Sequence, residues 1–491
     1  MSPDDSSPTA VVSFGCSYTQ AAVARALTAA NWRVLDVKEV ESAPASAPPS
    51  LWWADFSAVK WDDVLSATTC ASTQYVRSGV VRKAELLHYM KKHGSGARHP
   101  PTLVADIEDE DDIDDLVERW TALCENGTQD EPPSMWLLKP SRANRGEGIA
   151  VLLQNDETSL RTAIASYPQH TEWLLQRYVL PLLLPAVPTA PPLALPATVP
   201  DAGGLKFHLR WHVLTVGALS AWVHDAPLVL LSSMPWRRPD TSLVVNQGGD
   251  SVHSGDEDPM LVHLTNHAQQ VRSGGYDEAA HTRSLDEAFE PPVVAALKVQ
   301  ARAVAAEVFA PFVKGSASFF ALPHCFEIFG FDFAVDTTGR MWLLEVNSGP
   351  DLSLHGSRLA HVADRLLGDA HRVVCAHMYR GQPEHGVAAA MGEAGEVGEV
   401  GDHTDPRSNS SAMHVGEVLG GFECVLNRRC DDPRAELERF KRSMATIGRF
   451  AHALHEAAGA PVRGVQARAK ALQKASSSVK EDADESAVGI S

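Results

Sequence analysis

Residues 329–347, Phe-Gly-Phe-Asp-Phe-Ala-Val-Asp-Thr-Thr-Gly-Arg-Met-Trp-Leu-Leu-Glu-Val-Asn, constrain this chain more than any other stretch. Apolar residues alternate on both sides of a Thr-Thr-Gly turn, the period-two pattern of a β-hairpin. Glu345 and Asn347 are two apart, so they share one face of the second strand. A two-residue loop at Thr338-Gly339 would set Asp332 directly opposite Glu345 on that same face. Phe331, Phe333, Leu344 and Val346 mark the sheet as otherwise apolar. Two carboxylates and an amide are costly there unless a cation neutralises them. Hard oxygen donors without His or Cys suit magnesium. The competing reading is a set of acids that are paired or lie at a sheet edge.

Three further constellations accompany the hairpin. In residues 136–149 an apolar strand ends at Lys139 and is followed by a polar loop holding Gly146 and Gly148. Glycines let backbone amides approach an anion and the lysine adds charge, although an ordinary hairpin has the same outline. The GxxxxGK[ST] spacing of a P-loop and the Rossmann glycine pattern are both absent. Lys206, His208 and Arg210 alternate onto one strand face, which suits phosphate or carboxylate, with a solvated edge strand as the alternative. His263-Leu264-Thr265-Asn266-His267 puts polar residues beside an apolar pair; helix capping by Thr265 or Asn266 would also explain it. A lysine–glycine loop, a basic strand and an acidic hairpin together are what is needed to hold ATP with magnesium.

Around these motifs the chain reads as α/β. Residues 10–14 and 32–37 are strands flanking a helix at 19–31, residues 80–92 form a helix, and the acidic run 108–115 opens another. Strands follow at 173–179, 206–223 and 228–232, with a long helix at 292–312 and helical segments to 378. Residues 182–204 are too rich in proline for sheet or helix and read as a loop insertion, and 237–258 as a polar loop. The expected division is an N-terminal α/β subdomain (1–81), a central subdomain with the proline-rich insertion (82–205) and a C-terminal subdomain (206–380). A disordered linker (381–416), basic helices (417–475) and a disordered tail (476–491) complete it.

A formal charge of −19 argues against nucleic acid and anionic membrane as general partners, and means that an acidic substrate needs a local basic surface. The seven cysteines form no CxxC pair, so neither a disulfide framework nor a zinc site is indicated. The polar, proline-containing start and the absence of a long apolar run lead to the expectation of a soluble protein in a reducing, cytoplasmic compartment.

The ordered set of motifs resembles the tubulin tyrosine ligase family, whose fold is of the ATP-grasp type. The resemblance rests on Lys139 with Gly146-Glu147-Gly148-Ile149, Gln176-Arg177-Tyr178, Lys206-Phe207-x-x-Arg210, His263 to His267, and Phe331-Asp332-Phe333 through Leu344-Glu345-Val346-Asn347. Residues 75–87 join it, since Arg82-Lys83-Ala84 is similar to the family's basic nucleotide-contacting helix start. It implies that Lys83, Lys139 and Lys206 contact nucleotide, mainly its phosphates, and that Gln176 and Tyr178 line the adenine pocket. It implies that Asp332, Glu345 and Asn347 bind magnesium, that Arg210 stabilises the reacting carboxylate or acyl phosphate, and that Thr265 and Asn266 lie near nucleotide and acceptor. The implied activity is ATP-dependent joining of tyrosine, or another free amino acid, to the terminal glutamate of α-tubulin, with tubulin and microtubules as partners. The alternatives are a non-catalytic nucleotide- or tubulin-binding relative, a tubulin glutamylase, or another ATP-grasp peptide ligase.

Two departures stand out. The family's Lys-Phe-Asp-x-Arg is here Lys-Phe-His-Leu-Arg, so His208 replaces an acid. Residues 228–233 lack the arginine the family usually carries there. The basic stretch 428–474 reads either as a surface helix or as a holder of an acidic tubulin tail.

Overall fold

Alternating β-branched and aromatic residues build three sheets, described here from a computed structural model. It describes residues 7–42, 48–94, 96–125, 134–143, 146–186, 191–195, 203–244, 258–271, 276–314, 316–349, 351–378, 414–428, and 435, 438 and 442. The chain divides into a unit Met1–Arg429, which carries everything below, and a unit Cys430–Ser491. The expected linker at 381–416 falls almost wholly outside the described residues. So does nearly all of the basic stretch at 428–474, and the tail lies outside them entirely.

The first sheet has β1 (Thr9–Ser13), β2 (Arg33–Leu35), β3 (Leu51–Ala54) and β4 (Cys70–Ala71) in the order β2-β1-β3-β4. Its strands are parallel, so each link must cross over; the helix Ser17–Ala29 makes the first crossing and buries Ala22, Val23 and Leu27. The second sheet is antiparallel, with β5 (Thr102–Asp106), β6 (Met135–Pro140), β7 (Ala150–Leu153) and β8 (Glu172–Arg177) in the order β5-β8-β6-β7. The helices Glu110–Glu125 and Glu157–Ala165 contribute Leu116, Trp120, Leu160 and Ile164 to the core beneath it. Acids fill the first turn of Glu110–Glu125, where carboxylates suit the helix dipole.

The third sheet is the largest. It holds β9 (Leu183–Pro185), β10 (Gly204–Val216), β11 (Ser220–His224), β12 (Leu228–Pro235), β13 (Thr282–Ser284), β14 (Phe326–Val335), β15 (Met341–Ser348), β16 (Val418–Leu419) and β17 (Phe422–Asn427). The period of two divides β10: Phe207, Leu209, Trp211 and Val213 enter a core with the helix Pro291–Phe309, leaving Lys206, His208, Arg210 and His212 on the other face. In β14, Phe329, Phe331, Phe333 and Val335 enter the same core and Asp332 faces away. The core underlies the site.

Three expectations are corrected. The basic helices expected over 417–475 do not begin there: β16 and β17 occupy 418–427 and join the third sheet through β11. The segment at 182–204 is not loop throughout: β9 lies inside it and pairs with β10. The helix expected at 80–92 is two pieces, Ser78–Val81 and Lys83–Lys92, because Arg82 is extended at φ −88°, ψ 123°. The hairpin turns at Thr337–Gly339 as expected, but not through the two-residue loop that would by itself set Asp332 opposite Glu345. Asp336 and Arg340 close a turn around Thr337, Thr338 and Gly339, and a one-residue bulge at Leu344 then restores Asp332 to its place opposite Glu345. The expected pairing is present, reached through a longer turn and a compensating irregularity.

Candidate active site

Arg210 and Asp332 are register partners on β10 and β14, and the guanidinium grips the carboxylate with Nε on Oδ1 and Nη2 on Oδ2 at 2.8 Å. Asn347 Nδ2 donates to Asp332 Oδ2 at 3.1 Å and to Glu345 Oε1 at 3.4 Å. Lys83, the first residue of its helix, reaches Glu345 Oε2 at 3.2 Å and the Ala143 carbonyl at 3.0 Å, linking the hairpin to the loop after β6. Thus the structure brings Lys83, Arg210, Asp332, Glu345 and Asn347 into one continuous cluster. Burial works to raise the Glu345 carboxyl, but the charges of Lys83 and Lys139 override it and hold the group at about 2. Glu345 is ionised at neutral pH.

Lys139 is buried at the end of β6 and donates to Gln176 Oε1 of β8 at 2.9 Å, while Gln176 Nε2 donates to Thr102 Oγ1 at 3.1 Å. Burial, reinforced by the charge of Lys83 and offset by Glu345, lowers the Lys139 ammonium to about 8. The loop beyond it holds Gly146 at φ +78° and Gly148 at φ +68°. A Cβ on Gly148 would sit 2.7 Å from Pro140 Cγ, so both conformation and space require glycine there. Gly146 lies against the Gln269 side chain, which brings the loop to the segment that follows Asn266.

Lys206 Nζ donates to the Tyr178 hydroxyl at 3.0 Å and to the His263 carbonyl at 2.6 Å, and lies 4.3 Å from the Tyr178 ring centroid. Trp236 Nε1 donates to the same hydroxyl at 3.2 Å and His263 Nδ1 lies 3.0 Å from it. Burial pushes the Lys206 ammonium down to about 7 and the Tyr178 phenol up. His208 Nδ1 is 2.7 Å from Thr265 Oγ1, and its Nε2 is 4.0 Å from Asp332 Oδ1. Burial lowers the imidazole to about 4 against the opposing pull of Asp332, so it is neutral at physiological pH. Asn266 does a local job: its side chain accepts from Ala268 N at 3.1 Å and caps the helix His267–Gln270.

Several contributors were not singled out by the sequence. Trp236 gave no signal, being a lone aromatic after a strand. Gln270 is buried and ties Ser233 N, at 2.6 Å, to the Leu261 and Leu264 carbonyls, which holds the Thr265 segment against β12. Only tertiary structure reveals such a tie.

The residues fit the groups that the fold implies. Asp332, Glu345 and Asn347 present hard oxygen-bearing side chains at one place, with an ionised carboxylate, as a magnesium ion requires. Lys83 and Lys139 flank that cluster, and Lys206 lies near enough for its charge to act on His208. Cations set directly against oxygen donors suit a metal-bound polyphosphate.

This geometry sits on a known type of scaffold. The C-terminal domain of Kluyveromyces lactis Pby1, an ATP-grasp enzyme that interacts with the mRNA decapping enzyme Dcp2, superposes with a TM-score of 0.53. The match covers 86% of this chain and 100% of that one at 21% identity. The fold is therefore that of the ATP-grasp class. Residues 81–380, more than half of the chain, match the tubulin-tyrosine ligase family, and the protein belongs to that family. It is 24% identical over 379 residues to a probable tubulin–tyrosine ligase of Schizosaccharomyces pombe, covering 67% of this chain and 83% of the relative. It is 25% identical over 336 residues to a probable tubulin–tyrosine ligase of Saccharomyces cerevisiae, covering 60% and 41% of the two chains. A human tubulin polyglutamylase is 22% identical over 280 residues, covering 53% of this chain and 18% of the relative. Among the described residues no helix is long and apolar enough to cross a membrane.

Proposed function

We propose that this protein is an ATP- and magnesium-dependent carboxylate–amine ligase that adds tyrosine, or another amino acid, to the C-terminal glutamate of α-tubulin. The observation that carries the reading is the meeting of Asp332, Glu345 and Asn347 with Lys83, and of Lys139 with Glu345 through charge, on a sheet face otherwise backed by apolar core. In this reading ATP supplies the phosphoryl group that turns the acceptor carboxylate into an acyl phosphate, and magnesium neutralises the phosphates. The amine then displaces phosphate to form the peptide bond.

The chain's own residues hold and orient. Asp332, Glu345 and Asn347 hold the metal; Lys83, Lys139 and Lys206 face the phosphates; Gln176 and Tyr178 border the base; and Arg210 draws the reacting carboxylate. Gly146 and Gly148 let the loop backbone come close, and Thr265 with His208 closes one wall. Lys83, Lys139, Lys206 and Arg210 set positive charge locally against the formal charge of −19, with Glu345 and Asp332 balancing two of them. The subdomains we assign are 1–81, 82–205 and 206–380, and we place the protein's work in the cytoplasm, at microtubules.

The test is incorporation of labelled tyrosine, and of glutamate and glycine in parallel, into detyrosinated tubulin, compared with Glu345→Gln. ATP-dependent incorporation that the variant loses supports the reading, and the label that enters names the amino acid. A second reading, a nucleotide-binding member without ligase activity, is favoured by the neutral His208 beside Asp332. ATP binding with no incorporation of any label would select it.

A further inference from the structure

Both oxygens of each site carboxylate already accept donors from the protein. Asp332 Oδ1 takes Arg210 Nε, and Oδ2 takes Arg210 Nη2 at 2.8 Å and Asn347 Nδ2 at 3.1 Å. Glu345 Oε1 takes Asn347 Nδ2 at 3.4 Å and Oε2 takes Lys83 Nζ at 3.2 Å. The nitrogen of the Asn347 amide, not its oxygen, faces the acids. A divalent ion approaching these oxygens meets two cations and an amide donor in the places its own bonds would occupy.

We infer that Arg210 and Lys83 are place-holders: they neutralise Asp332 and Glu345 in the resting protein and exclude a divalent cation until an anion draws them away. This rests on the reading of Asp332, Glu345 and Asn347 as the metal-binding set. The charges argue for it. Two carboxylates are balanced by Arg210 and Lys83, the charge of Lys139 also acts on Glu345, and a dication added there lies beside like charges that disfavour it. A polyphosphate changes the balance, because it offers both cations a new partner and brings negative charge to the ion. Anion and metal then bind with positive coupling, and the coupling is reciprocal. Arg210 is the stronger barrier of the two, since its planar fork covers both oxygens of Asp332 while Lys83 covers one of Glu345. Rotation of the Asn347 amide completes the exchange by turning its oxygen inward.

The test uses the full-length protein without nucleotide and Mn²⁺ as probe, with free Mn²⁺ followed by electron paramagnetic resonance. Arg210→Met is expected to bind Mn²⁺ about tenfold more tightly than wild type, as when a neighbouring like charge is removed. Lys83→Met should show a smaller gain, and Arg210→Lys, which keeps a cation but not the fork, an intermediate one. Asp332→Asn should abolish binding, alone and combined with Arg210→Met. Thermal unfolding of each variant identifies any that fail to fold; if Arg210→Met is among them, Arg210→Lys and Lys83→Met decide. Affinities no tighter than wild type in the folded cation variants would overturn the place-holder role while leaving the metal site intact, provided Asp332→Asn still weakens binding. Mn²⁺ binding that is indifferent to Asp332→Asn, or absent from every form, would overturn the metal-site reading and this inference with it.

Discussion

His208 and Thr265, 57 positions apart in the chain, are joined by a 2.7 Å hydrogen bond between the imidazole Nδ1 and the hydroxyl. Both are buried, so the bond fixes the ring's orientation beside Asp332. Thr265→Val keeps the shape but leaves a buried ring nitrogen unpartnered, at a cost of about 1–3 kcal/mol. The expected result is a lower unfolding midpoint and weaker nucleotide binding by titration, with both restored in Thr265→Ser.

Lys206 makes the site sensitive to pH. Its folded value of about 7 lies below the 10.5 of a free lysine, so the unfolded chain holds the proton more tightly. The cost of the buried charge is fully present below pH 7 and is relieved as pH rises from about 7 toward 10.5. Lys206→Met should therefore stabilise the nucleotide-free protein more at pH 6 than at pH 9, measured by thermal unfolding. In the wild type, affinity for a nucleotide triphosphate should fall as pH rises above 7, and the variant should bind weakly at every pH.

Glu327, at the start of β14, is buried and meets Arg77 Nη1 at 3.1 Å and the Gln74 backbone amide at 2.9 Å. Burial raises its carboxyl to about 7 in spite of Arg77. A raised carboxyl contributes stability that is complete below about 4.5 and lost as pH climbs through 7. Arg77→Met strands the carboxylate, and the expected loss is about 3–5 kcal/mol at pH 8 and less at pH 6, where the group carries its proton. Denaturant unfolding at the two pH values checks the sign.

Gly148→Ala adds a Cβ at φ +68° and 2.7 Å from Pro140 Cγ. Strain of about 1–3 kcal/mol at this position should displace the loop after Lys139. We expect weaker nucleotide binding, while Gly94→Ala, at φ +83° with open space around it, should cost about 1–2 kcal/mol of stability through backbone strain alone and leave binding unchanged.

Much of the site was legible because the sheets carry it. Alternation placed Lys206, His208 and Arg210 on one face, and the same rule placed Glu345 with Asn347. The turn's place was legible but its length was not, because Thr-Thr-Gly accommodates either loop length and periodicity is silent on an inserted bulge residue. The proline-rich segment hid β9, whose pairing depends on the facing edge of β10 and not on its own composition. Gln270 and Glu327 act through partners 37 and 253 residues away, beyond the reach of any local pattern.

The bulge at Leu344 has a bearing on how such a hairpin tolerates change. Upstream of it, Met341 and Leu343 point to the core; downstream, Val346 does, so the two halves of β15 are out of phase by one residue. Loss of Leu344 would straighten the strand yet leave Glu345 facing Asp332. Length variation at this position re-aims the acid by degrees without inverting it, a latitude the rest of the ladder lacks.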